Sequence, residues 1–147
     1  IWGKVTLFDI GAKVPFIVRA PGLSKPGTKS EAMIELIDIY PTLTDLAGLE
    51  APNHLQGTSL RPLLGHPERL GKKKYAYSVV TRGPKNLGYA LRNQNWRYGK
   101  WPDGEELYNL RSDPQEKNNL AQKEHFKDRL DVFRKALTRQ QELIQQN

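Results

Sequence analysis

The sequence predicts an α/β chain: the closing part of a larger α/β domain, then a small four-stranded antiparallel sheet with a long C-terminal helix. Three observations predict it. First, the nearly continuous apolar run Val14 to Ala20 (VPFIVRA) is followed by one amphipathic helical segment, and the two cannot bury each other's apolar faces alone. Second, four short segments rich in aromatic and β-branched residues are separated by turn signals. Third, the polar stretch Lys123 to Gln146 carries apolar residues at helical spacing.

Taken in order, the apolar run stops at Pro21-Gly22 and suits a strand buried on both faces. Ser24 to Lys29, made of Gly, Pro, Ser, Thr and Lys, reads as a surface loop. Ile34 to Leu49 places apolar residues at 36, 39, 43, 46 and 47. Asp38 is the expected N-cap, Pro41 is tolerated in the first turn, and Gly48 fits the left-handed position that ends a helix. Gln56 to Gly71 reads as a linker. Strands are predicted over Lys74 to Thr81, Gly88 to Arg92, Trp96 to Trp101 and Glu105 to Leu110, with a hairpin turn at Pro102-Asp103-Gly104 and a further turn at Asp113-Pro114. In the last helix Phe126, Leu130, Phe133, Leu137 and Ile144 share one face. The expected division is 1–64, the incomplete end of the large domain, and 65–147, the small β subdomain plus helix.

The 147 residues begin at Ile1, and Met33 is the only methionine, so a processed or truncated piece is expected. Cysteine is absent, which excludes disulfides, thiolate metal sites and a cysteine nucleophile within these residues. The net charge of +7 favours anionic partners. Its densest cluster, Lys72-Lys73-Lys74 beside Arg69, reads as a solvated loop. There is no nucleic-acid-binding motif and no apolar stretch near the ~20 residues that span a bilayer, so neither nucleic acid nor membrane is expected as a partner. His54 and His66 lack metal-ligand spacing and read as surface residues, and His125, one residue from the apolar stripe of the last helix, reads as exposed. Trp2, Trp96 and Trp101 read as packing residues, with sugar stacking the alternative for the last two.

Several strings resemble the sulfatase family. Trp2-Gly3-Lys4 with Phe8-Asp9 resembles its W-x-K-x-x-x-F-(D/E) stretch, and Val14-Pro15-Phe16-Ile17 with Pro21-Gly22 resembles V-P-x-I…P-G. Asp38-Ile39-Tyr40-Pro41-Thr42-Leu43 with Leu46-Ala47-Gly48-Leu49 is similar to the family's P-T-L-x-x-L-A-G-L helix. Gly57-Thr58-Ser59-Leu60 with Pro62-Leu63-Leu64 resembles G-x-S-L-x-P-L-L. Glu106-Leu107-Tyr108-Asn109-Leu110, Asp113-Pro114, Glu116 and Asn119-Leu120-Ala121 resemble the closing E-L-Y-D-L…D-P-x-E-x-x-N-L-A. Five strings in the family's order cover Trp2 to Ala121. Tyr89 to Arg92 and Trp96 to Tyr98 are similar to the iduronate-2-sulfatase subgroup and its bacterial relatives.

The resemblance implies an alkaline-phosphatase-like fold and hydrolysis of sulfate esters, with a sulfated glycan as substrate and the upstream N-terminal portion as partner. It implies a formylglycine nucleophile and a Ca²⁺ ion, both supplied upstream of Ile1, and no metal ligand within this chain. The chain alone is then expected to be inactive. It also implies a periplasmic or secreted location, lysosomal in a eukaryote. Lys4 matches the family lysine that contacts the substrate sulfate; without the family context it reads as a surface lysine. Arg82 and Lys85, in the loop after the first strand of the small subdomain, match a loop near the substrate and are equally readable as solvated charges. Two rivals remain: a phosphodiesterase or phosphatase of the same superfamily, and a non-catalytic polyanion-binding module.

Overall fold

The computed structural model describes residues 5–84 and 86–145. Among these, contacts divide the chain into two compact units: residues 5–15 with 75–145, and residues 16–74.

The first unit is built on a four-stranded antiparallel meander, β1 (Ala76–Thr81), β2 (Leu87–Arg92), β3 (Trp96–Trp101) and β4 (Gly104–Asn109), in the order β1-β2-β3-β4. All four strands lie where the sequence predicts them, because alternating residues must face opposite sides of a pleated sheet. Leu91, Tyr98 and Leu107 stand opposite one another across three strands. They form one core with Leu130, Phe133 and Leu137 of α4 (Lys127–Gln145). A 3₁₀ turn, Glu124–Phe126, leads into that helix, and Phe126 packs on Trp96 at 5.8 Å between ring centroids. Trp96 also has the Arg129 guanidinium over its ring, so packing rather than an open stacking platform is its role.

The opposite face of the sheet is covered by residues 5–12, which end in the single-turn α1 (Asp9–Ala12). Leu7 is buried there against Ala90 and Trp101, with Val80 at the margin.

The second unit holds a 3₁₀ turn (Leu36–Asp38) running into α2 (Ile39–Leu46), and α3 (Arg61–Gly65). Gly48 has φ +67° and α2 ends in a Schellman arrangement: the Leu49 N–H donates to the Thr44 carbonyl and the Gly48 N–H to that of Asp45. Asp38 precedes α2 as expected, but its side chain does not cap that helix. It is fully buried and accepts from the backbone N–H of Glu35 at 2.9 Å and of Thr58 at 2.8 Å, and from Lys73 Nζ at 2.7 Å. Lys73 also pairs with Glu35, so the middle of the lysine run is a structural residue and not a solvated one.

Two expectations are corrected here. Val14 to Ala20 forms no strand: it has no ladder partner among the described residues, and Ile17 is 91% exposed. A strand exists only where a neighbour takes its backbone hydrogen bonds, and no described segment does so here. Likewise the apolar residues Leu36 and Leu43 of the predicted helix face outward with Tyr40, while Thr42 and Asp38 are buried.

Candidate substrate-facing loop and the sheet face behind it

The β1–β2 connection carries Arg82, Gly83 and Pro84. Gly83 has φ +81°, a conformation glycine adopts without steric cost, and the Arg82 N–H donates to the Asn86 carbonyl at 2.8 Å to close the turn. Thr81 Oγ1 donates to the Gly83 carbonyl at 2.8 Å. The Arg82 guanidinium lies 4.5 Å above the centre of the Trp101 ring, an electrostatic contact with the negative ring face. Trp101 is only 8% exposed, which removes sugar stacking as its role. Its ring occupies the space a Cβ on Gly88 would need, at 2.5 Å. Arg82 Nη2 also approaches the Val5 carbonyl at 3.5 Å, a long contact. Arg82 itself is exposed, so its remaining N–H groups are available to a carboxylate or sulfate. Lys85 and Lys4, the other two expected site residues, lie outside the described residues.

Towards the β2–β3 turn, at the other end of β2 from this loop, lies a charge network that sequence reasoning missed. Arg92 and Arg97 stand directly opposite each other on β2 and β3. Like charges so placed repel. Three acids offset them. Asp9 pairs with Arg92 at 3.1 Å. Glu106 pairs with Arg97 Nη2 at 3.1 Å, and Glu116 pairs with Arg97 Nε. The Arg97 guanidinium, 1% exposed, is sandwiched between the Phe8 ring at 4.4 Å and the Tyr108 ring at 4.8 Å. Glu116 Oε2 accepts the backbone N–H of Asp9 at 2.7 Å. Glu116 adopts φ +54°, unusual for a residue with a side chain, in a turn held by Asp113, whose carboxylate accepts the N–H groups of Lys117 and Asn118. The only signal for this network was the F-D and D-P-x-E strings themselves, which give no partner.

The model of the N-sulphoglucosamine sulphohydrolase C-terminal family matches residues 1–143. The chain belongs to this sulfatase family. It is 32% identical over 136 residues to human arylsulfatase K, covering 82% of this chain and 24% of that protein. To an ulvan-active sulfatase of Formosa agariphila it is 32% identical over 160 residues, covering 85% of the chain and 32% of that protein. Among solved structures it resembles BT4656, in complex with its substrate D-glucosamine-2-N,6-O-disulfate, with TM-score 0.81 at 28% identity over 89% of this chain and 28% of that one. It resembles the phosphonate monoester hydrolase of Silicibacter pomeroyi equally in fold, with TM-score 0.81 at 28% identity over 95% and 31%. The chain thus spans about a quarter to a third of the length of these relatives. Its fold is that of the C-terminal part of the alkaline-phosphatase-like sulfatases, with the small antiparallel sheet and long helix in place.

Among the described residues no cluster of three or more His, Asp or Glu side chains could hold a metal ion, and the chain has no cysteine. No helix among the described residues is long and apolar enough to cross a membrane.

Proposed function

We propose that this sulfatase-family chain forms part of an enzyme that hydrolyses sulfate esters of a sulfated saccharide, and that its contribution to the reaction is cationic. The observation that carries this reading is the family match over residues 1–143, which includes Lys4 in its W-x-K-x-x-x-F-D context. Sulfuryl transfer builds negative charge on the leaving oxygen and on the sulfate oxygens. A preorganised ammonium in a water-poor site stabilises that charge, and removal of one such donor costs ~10²–10³-fold in rate. Lys4 takes this part. Arg82 and Lys85 bind carboxylate or sulfate groups on the rest of the saccharide, with Arg82 steadied by Trp101. The nucleophile, the calcium site and the larger part of the active site come from residues outside those described, so no step is assigned to them. The 147-residue chain alone is inactive, and the parent is secreted, periplasmic or lysosomal.

Within this reading the saccharide is iduronate-2-sulfatase-like on the strength of the Tyr89–Tyr98 strings alone. Leu91 and Tyr98 from those strings are sheet core, and contact with the sugar is assigned here to Arg82 and Lys85.

A second reading, phosphonate monoester hydrolysis, is favoured by the equal fold match to the Silicibacter pomeroyi enzyme. One comparison separates them. The full-length protein is assayed on D-glucosamine-2-N,6-O-disulfate and 4-nitrophenyl sulfate against 4-nitrophenyl phenylphosphonate. Sulfate release at the higher kcat/KM is expected; preference for the phosphonate would overturn the first reading in favour of the second.

A further inference from the structure

We infer that residues 5–9 form a strap along the sheet, and that its charged end, Asp9 on Arg92 and Glu116, keeps Arg82 in place at the other end through Leu7 and Trp101. This rests on the proposed role of Arg82.

The contacts of the strap follow β2 from one end to the other. At the loop end the Val5 carbonyl lies 3.5 Å from Arg82 Nη2. In the middle Leu7, 1% exposed, packs with Ala90 and Trp101. At the β2–β3 turn end the Asp9 carboxylate is gripped by Arg92 through Nε at 3.3 Å and Nη2 at 3.1 Å. There the Asp9 N–H also donates to Glu116 at 2.7 Å, so the main chain is fixed together with the side chain. Among the described residues the strap forms no ladder with the sheet. Its register is therefore set by side chains. An apolar contact such as that of Leu7 tolerates sliding, whereas a two-point carboxylate–guanidinium contact holds one register.

Trp101 is the link between the two ends. Its ring packs with Leu7 and carries the Arg82 guanidinium 4.5 Å from its centre. The ring is closely seated, since a Cβ on Gly88 would stand 2.5 Å from it. When the strap slackens, Leu7 withdraws, the indole gains room, and the guanidinium above it loses its fixed position. A loosened arginine must be ordered again before it can bind an anion, and that cost is taken from affinity. Asp9, Leu7 and Trp101 are thus positioning residues, and Arg82 makes the contact.

The test is a double-mutant cycle in the full-length protein. The readout is the ratio of kcat/KM on D-glucosamine-2-N,6-O-disulfate to kcat/KM on 4-nitrophenyl sulfate, which cancels effects common to both substrates. Asp9→Asn should lower the ratio about threefold to tenfold, through KM, the cost of ordering one loose side chain. In the Arg82→Ala background the same substitution should lower it by less than about 1.5-fold, because both residues act through one contact. Leu7→Val, which trims the contact with Trp101 and leaves Asp9 charged, should give the same pattern and carries the test if Asp9→Asn does not fold. A ratio that falls with Arg82→Ala but with neither strap variant would overturn the strap and leave Arg82 in place. An equal fall in both backgrounds would show a structural role only and overturn it as well. A ratio that Arg82→Ala itself does not change would overturn the reading of Arg82, and the strap with it.

Discussion

At the scale of the residue, the clearest electrostatic device faces α4. The Glu105 carboxylate receives Arg134 through Nε at 3.0 Å and also through Nη2, accepts the Tyr98 hydroxyl at 2.6 Å, and lies 3.7 Å from Lys100. Its pKa is lowered from 4.5 to about 2, mainly by Arg134 and then by Tyr98, against the opposing effect of burial. Burial and the same carboxylate raise the Tyr98 hydroxyl. A depressed carboxylate stabilises the fold above its unfolded pKa, and that contribution fades as pH falls from about 4.5 towards 2. Arg134 is half exposed, so we expect a contribution on the order of 1–2 kcal/mol and not the full Coulombic value. Glu105→Gln should lower the melting temperature at pH 7 and flatten its fall between pH 5 and pH 2, as followed by circular dichroism. For the proposed site, Lys4→Ala should cut kcat/KM on a sulfate ester by ~10²–10³-fold. Arg82→Ala should act mainly on KM for a charged saccharide and leave 4-nitrophenyl sulfate within about threefold of wild type. The role of Arg97 was not legible from sequence: a buried arginine reads the same as an exposed one until its cross-strand partner is known.

At the scale of the element, β1–β4 and α4 were legible because each has its own period and turn residues, and because the two faces they need are both within the chain. Val14 to Ala20 was legible as apolar but not as a strand here, since a ladder partner is a property of the whole sheet. Two glycines show how closely elements approach. A Cβ on Gly57 would stand 2.0 Å from the Ile37 carbonyl oxygen, where the G-T-S-L string is laced to α2 by hydrogen bonds from Thr58 to Asp38, Ser59 to Asp45 and Leu60 to Thr42. Gly57→Ala should therefore destabilise by about 1–3 kcal/mol in chemical denaturation. Gly88→Ala would displace the Trp101 ring and with it the support under Arg82. Its expected effect is a raised KM for the saccharide together with a change in tryptophan fluorescence.

At the scale of the whole molecule, the sulfatase family accounts for what the isolated sequence leaves unsatisfied. Ile10, Ile17, Leu36, Leu43 and Leu49 are all more than half exposed. The chain covers about a quarter to a third of its relatives, so much of an enzyme of this class is not represented in it. The 147-residue chain alone should release no sulfate above the uncatalysed rate, measured by ion chromatography. The central claim, that this chain presents a lysine to a bound sulfate, is tested most directly by a crystal structure of the full-length protein with a sulfate ester bound. The account expects Lys4 Nζ at hydrogen-bonding distance, roughly 2.7–3.2 Å, from a sulfate oxygen, with Arg82 facing the same cavity. A bound sulfate ester touched by neither residue, with Lys4 turned into solvent, would contradict it.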